Sequence, residues 1–319
     1  MRRLRALGIA LVVLLIGAEL TLRLAWGFGT PPLYQPDPVC GYVMVPSQNI
    51  RRLGALNFIN SFSMRSPEIS LHKTPGVTRV LFIGDSVCYG TTYVDQSKIF
   101  TSLVAQRLGA VVHGPVEVLN ASTGGWAPGN EVAYLRSRGT FDADLVIFVN
   151  NTLDLTQPFW MVDLSPNGPT PGRRPFCAIE EVLVRYLMPR ISYEWQSHEL
   201  DTVVEQDDCD QSKVPAMLAN LDEARSICQK AHAKFAVIYT PFYDLKDRPD
   251  WNACVQMLMD WGQRRHVPIL DMRDQFLTLP NSEVYIDRRH LRPGGHELIA
   301  QRVIDSWPQL MGTSSATAP

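Results

Sequence analysis

From residue 79 onward the chain alternates short apolar runs with stretches of helical period. Five runs of six to eight residues are apolar almost throughout: "RVLFIG" (79–84), "VEVLNAS" (116–122), "DLVIFVN" (144–150), "KFAVIYTP" (234–241) and "VPILDM" (267–272). Runs without polar alternation suit strands of a parallel sheet covered on both faces. Between and after them the pattern predicts helices near 97–109, 128–138, 214–232, 250–264 and 293–307. In the last, Pro293 suits the first turn, and Leu298, Ile299, Val303, Ile304 and Trp307 form one apolar face. Such alternation predicts a doubly wound α/β sandwich that binds its ligands beyond the carboxyl ends of the strands.

The N-terminus has a different pattern. Arg2, Arg3 and Arg5 precede an unbroken apolar run from Ala6 to Ala18, and apolar residues resume after Glu19 as far as Trp26. A helix from Leu4 to Trp26 is long enough to cross a bilayer of about 30 Å, and Glu19 and Arg23, four apart, can pair on it. The alternative is a signal peptide cleaved after Ile16-Gly17-Ala18. Either way the arginines stay inside and the remainder is exported, periplasmic or extracellular. The expected organisation is a signal-anchor or transmembrane segment at 1–28, a linker and N-terminal extension at 29–75, and the working domain at 76–312. Within that domain, 151–213 is an insertion long enough to cap the active face, and it contains the helical-looking "AIEEVLVRYLMP".

Composition and charge narrow the function classes. The 319 residues are 45% hydrophobic and 19% charged, which suits a globular core. The first 28 hold four Arg against one Glu, the remainder is net acidic, and no basic stripe marks a nucleic-acid partner. No GxGxxG or GxxxxGK[ST] follows the first strand, which argues against a nucleotide binder. Six cysteines (Cys40, Cys88, Cys177, Cys209, Cys228, Cys254) form no CxxC pair, so no metal site is expected; disulfides are allowed but cannot be assigned.

Three stretches carry candidate chemistry. In "VLFIGDSVCYG" a serine, Ser86, directly follows a buried strand, at the sheet edge where substrates arrive. A serine needs a positioned base to act as a nucleophile. Of the seven histidines, His72, His232 and His266 have plain contexts and His296 falls inside the last helix. His290 lies in a loop three residues after Asp287, where a carboxylate can fix its tautomer. In "VLNASTGGWAPGN" a strand ends in a small-residue turn, where Gly125 can present a backbone N–H to the same edge.

Taken in order, these stretches resemble the SGNH (GDSL-type) hydrolase family over roughly residues 76–310. "FIGDSVCYG" is similar to the block holding the nucleophile, "VLNASTGG" to the block whose glycine donates to the oxyanion hole, and "YIDRRHLRPGGHELIA" to the block completing the triad. "LNFINSFSMRSPE" and "AELTLRL" are similar to stretches of membrane-anchored, exported members. The resemblance implies a flavodoxin-like three-layer α/β/α sandwich, Ser86, Asp287 and His290 as the catalytic triad, and backbone donors at Ser86 and Gly125. One block departs from the family pattern, which has Gly-x-Asn-Asp after its strand. Here the strand runs into "VIFVNNTLDLTQPF": a gapless alignment puts Leu153 at the Asn position, and alignment by strand end offers Asn151 or Asn150, with Asn151 preferred. The implied function is an esterase or acyl hydrolase needing no cofactor, with an acylated envelope carbohydrate as the expected ester substrate. An O-acyltransferase with the same triad and a non-catalytic anchored binding module are the rival readings. Trp126 and Trp160 are placed in the core rather than against a sugar.

Overall fold

The computed structural model describes residues 1–159, 161, 164, 170–188, 209–245 and 248–312. Trp160 and part of the 151–213 insertion lie outside the described residues. The chain opens with helix α1 (Arg2–Trp26), 25 residues closed by Gly27 in the left-handed conformation. All its residues through Gly17 are exposed, and partial burial begins at Ala18 and Glu19.

Two antiparallel hairpins follow where the sequence suggests a spacer: β1 (Tyr34–Asp37) with β2 (Gly41–Met44), and β3 (Gln48–Arg52) with β4 (Ala55–Ile59). Strands of four or five residues are too short to leave a recognisable period. They pack on the body of the protein, and Tyr34, Tyr42, Met44 and Ile59 are buried in one of its two cores.

The five apolar runs become five parallel strands, β5 (Thr78–Gly84), β6 (Val116–Ser122), β7 (Leu145–Asn151), β8 (Lys234–Thr240) and β9 (Ile269–Asp271). The last is shorter than the 267–272 run because Pro268 has no N–H to give the ladder. Their order is β6-β5-β7-β8-β9.

The helices in chain order are α2 (Ser86–Tyr89), α3 (Phe100–Val112), α4 (Pro128–Arg138), α5 (Ala178–Val182, prolonged by a π-turn over Leu183–Leu187), α6 (Val214–Lys230) and α7 (Pro249–Arg265). The short α8 (Arg273–Phe276) and α9 (Asn281–Val284) precede α10 (Pro293–Asp305) and α11 (Trp307–Met311). Because alternate strand residues face opposite sides, Leu81, Ile83, Val146, Phe148 and Val237 join the core that contains residues of α4, α6 and α7. Val80, Phe82, Ile147, Val149 and Ile238 pack with residues of α3, α10 and α11. This is an α/β fold of three layers, a parallel five-stranded sheet with helices on both faces. The strand order reverses direction between β5 and β7, and that switch opens a crevice beyond their carboxyl ends.

Cys209 and Cys254 are joined by a disulfide that ties the chain before α6 to α7, whereas Cys40, Cys88, Cys177 and Cys228 are free thiols.

Candidate active site

Ser86 stands where β5 meets α2, at the switch between β5 and β7. The chain can turn there because residue 84 is glycine. A Cβ on Gly84 would lie 2.6 Å from the Cys88 Cβ and 2.8 Å from the Val149 carbonyl oxygen, closer than real contacts allow. Asp85 then caps α2, its Oδ1 accepting the Val87 N–H at 2.8 Å.

Two hundred residues later, the loop between α9 and α10 brings its groups to the same edge. The Ile286 N–H donates to the His290 carbonyl at 2.7 Å, and Tyr285 bridges Leu291 across the loop. Asp287 Oδ1 accepts the N–H groups of Arg289 (3.1 Å) and His290 (3.0 Å), which fixes the carboxylate. Its Oδ2 lies 2.7 Å from His290 Nδ1, and His290 Nε2 lies 2.7 Å from Ser86 Oγ. The three side chains therefore form one continuous line. Burial would raise the Asp287 pKa, but the His290 imidazole and the two N–H donors outweigh it and hold the carboxyl below its ordinary range. His296 is elsewhere: fully buried, stacked on Phe100 and pushed down to about 3 by desolvation, it is a neutral core residue.

Gly125 lies in the turn after β6, with Trp126 N–H donating to the Thr123 carbonyl at 3.4 Å and φ of +85° at Gly125. A left-handed third residue marks a type II turn, whose middle peptide points its carbonyl and N–H to opposite sides. The Gly124 carbonyl accepts the Tyr42 hydroxyl at 2.8 Å, so the Gly125 N–H points away from Tyr42. Gly124, rather than Gly125, lines the cleft: a Cβ there would lie 3.9 Å from the Ser86 Cβ. Trp126 is buried and donates its indole N–H to the Tyr42 carbonyl, so it is a core residue.

The two asparagines at the end of β7 diverge. Asn151 Nδ2 donates to Asp85 Oδ2 at 2.8 Å, while Asp85 Oδ2 also lies 3.3 Å from Ser86 Oγ. Asn150 Nδ2 instead donates to Glu131 Oε2 at 3.1 Å, in the buried layer toward α4. The structure thus brings Asn151, and not Asn150, to the carboxylate beside Ser86. Leu153 follows in a 3-10 turn, and Asp154 Oδ2 accepts the Asn151 N–H at 2.7 Å. Burial, followed by repulsion from Asp85, pushes Glu131 and Asp154 well above the usual carboxylate range. Burial also raises Asp85, against the Val87 N–H and the nearby His290 and Arg289.

A cleft of about 520 Å³ opens over Ser86 and His290, walled by Tyr34, Tyr93, Arg52 and Tyr186 among others. Four supporting residues escape sequence reasoning. Asp85 and Tyr42 are described above. Arg65, which is buried, donates to the carbonyls of Tyr89, Thr91 and Val94 at 2.6–2.7 Å and so shapes the loop that follows Ser86. Arg52, also buried, makes a two-bond pair with Glu181 of α5 (2.6 and 3.1 Å) and carries the α5 wall of the cleft. Asp85 lies within "FIGDSVCYG" and Arg65 within "LNFINSFSMRSPE", whereas Tyr42 and Arg52 fall in no stretch that the sequence singles out.

No family model matches the chain, and no curated protein matches it. Among solved structures its neighbours include two members of the lipolytic protein G-D-S-L family, aligned over about three-quarters of the chain. It is similar to a member of the lipolytic protein G-D-S-L family from Veillonella parvula DSM 2008, at 10% identity and a TM-score of 0.47, over 73% of this chain and 100% of that one. It is also similar to a mutant of Axe2, an acetyl-xylooligosaccharide esterase from Geobacillus stearothermophilus, at 14% identity and 0.45, over 79% and 100%. A two-domain esterase active on acetylated mannans shares 13% identity at 0.47, over 76% of this chain and 52% of that one. At these identities the likeness concerns the fold.

Proposed function

We propose that the protein is a serine esterase that cleaves an acyl ester through Ser86, His290 and Asp287. The observation that supports this reading is the line of two 2.7 Å contacts, Ser86 Oγ to His290 Nε2 and His290 Nδ1 to Asp287 Oδ2, at the switch point of the sheet and at the mouth of a cleft. In this reading His290 Nε2 takes the hydroxyl proton as Ser86 Oγ attacks the ester carbonyl. Asp287 holds the proton on Nδ1 and offsets the imidazolium charge. The backbone N–H groups of Ser86 and Gly125, with one N–H of the Asn151 amide, hold the oxyanion. His290 then protonates the leaving alcohol, and water, activated in the same way, releases the acyl group.

The substrate in this reading is an acylated carbohydrate. The tyrosines at 34, 93 and 186 give the cleft aromatic faces and hydroxyls suited to sugar rings. In this reading the working domain lies outside the cytoplasm, held by α1 as an uncleaved anchor; the Cys209–Cys254 disulfide suits an oxidising compartment. Full-length protein offered acetylated xylan and mannan oligosaccharides is expected to release free acetate. Acetate appearing instead on an added glycan acceptor would move the assignment to an O-acyltransferase, and no product with either would remove the carbohydrate from the proposal.

The asparagines give a sharper test. Asn151→Ala is expected to lower kcat by roughly 10²–10³, the cost of one lost oxyanion donor. Asn150→Ala removes an amide bound to Glu131 and should affect thermal stability more than kcat. Equal losses of kcat in the two variants would remove Asn151 from the oxyanion hole.

A further inference from the structure

We propose that the cap formed by residues 173–188 rests on the lipid surface of the membrane that holds α1. This inference depends on the anchor reading of α1 given above. It places the cleft against the bilayer, where it would meet esters presented at the membrane surface.

The first argument is one of length. The fully exposed part of α1, residues 2–17, extends about 24 Å at 1.5 Å per residue, whereas the hydrocarbon core of a bilayer is about 30 Å thick. If α1 spans, the body that meets it from Ala18 onward is drawn down to the headgroup layer of the outer leaflet.

The second argument is what the body places at that level. Glu19 pairs with Arg23, and its carboxylate also accepts the Ala178 and Ile179 N–H groups at 2.9 and 3.0 Å, holding the start of α5 beside α1. Glu19 lies roughly 10 Å short of Trp26 along the axis, so the start of α5 lies at that depth. Farther along, Glu181 accepts the Gly29 N–H at 2.6 Å and Tyr186 packs edge-on against Phe28. The α5 segment therefore runs alongside the exit of α1, from the level of Glu19 to that of Phe28.

The third argument is chemical. Phe176 precedes the α5 N-cap Cys177, where an apolar residue usually staples onto the fourth helical residue. That residue is the buried ion-paired Glu181, and the Phe176 ring is left 92% exposed. Leu183, Leu187 and Met188 are also exposed, at 43–58%. Arg173 and Arg174, both exposed, immediately precede this apolar edge. Basic side chains flanking an exposed aromatic and aliphatic edge are what an anionic lipid interface accepts. The other end of the same segment supplies Arg185 and Tyr186 to the cleft.

The test uses the full chain, reconstituted in phosphatidylglycerol–phosphatidylcholine vesicles, with p-benzoylphenylalanine placed at position 176 or at position 111. Val111 is a fitting control: it is 38% exposed at the end of α3, a helix that runs back from the carboxyl edge of the sheet. Irradiation is expected to give roughly tenfold or more lipid adduct at 176 than at 111. Equal adduct at the two positions, or crosslinks from 176 to a second copy of the chain, would overturn the proposal. The intact mass of the protein recovered from cell membranes tests the anchor reading separately. Loss of the residues before Glu19 would sink that reading alone, since the vesicle experiment reports on the surface with α1 in place.

Discussion

Replacing Ser86 by Ala is expected to lower ester hydrolysis by roughly 10⁴–10⁶-fold and to abolish labelling by a fluorophosphonate. The size of the effect follows from how few alternatives the cleft offers. Cys88, two residues on, is wholly buried, and desolvation pushes its thiol well above its ordinary pKa; its Sγ faces Asn120, not the cleft. Thr91 and Thr92 line the cleft, but His290 Nε2 is engaged by Ser86. The substitution removes one oxygen from a half-buried side chain and leaves the caps of α2 untouched, so the fold should persist. Thermal unfolding of the variant is expected within a few degrees of the parent, which separates lost chemistry from lost structure. A Ser86→Ala protein that keeps its esterase activity would end the serine mechanism.

How much of this was readable beforehand depended on the range of the interactions involved. The five strands announced themselves because a strand buried on both faces has little choice but apolar side chains, and α1, α4 and α10 announced themselves by length or period. Ser86, His290 and Asp287 were legible because each sits at a strand or loop boundary that local sequence marks. The hairpins were not. The β3–β4 turn uses Leu53 and Gly54, both with positive φ, whereas the sequence signal for such two-residue turns is Asn-Gly or Asp-Gly. Arg52, Arg65 and Tyr42 were not legible either, because their partners lie 24 to 129 residues away. A lone arginine in a polar stretch looks the same whether it ends up in water or beneath an active-site loop. The choice between Asn150 and Asn151 needed the strand end itself: adjacent residues point to opposite faces, and only coordinates show which one meets Asp85.

The second large effect expected is at Asp287. Asp287→Asn should lower kcat by roughly 10²–10⁴-fold while changing KM little. The reason lies in the two backbone donors. Arg289 and His290 N–H groups both point at Oδ1, so an asparagine at this position keeps its carbonyl oxygen there and turns its NH₂ toward His290 Nδ1. Nδ1 must then accept, the imidazole proton moves to Nε2, and the nitrogen facing Ser86 Oγ can no longer take a proton from it. A carboxylate avoids this because it has no hydrogen to give. The range is wide because the Asp287 side chain is about half exposed, and water screens the part of its role that is pure charge while leaving the tautomer argument intact. Asp244→Asn is the matched control. It removes a charge bound to Arg288 at 3.0 Å in the same neighbourhood without touching His290, and should leave kcat within about threefold. Were both variants to lose activity alike, the effect would be one of general charge on the loop. Were neither to lose it, His290 would need no orienting partner, and the Ser86–His290 pair would have to act alone.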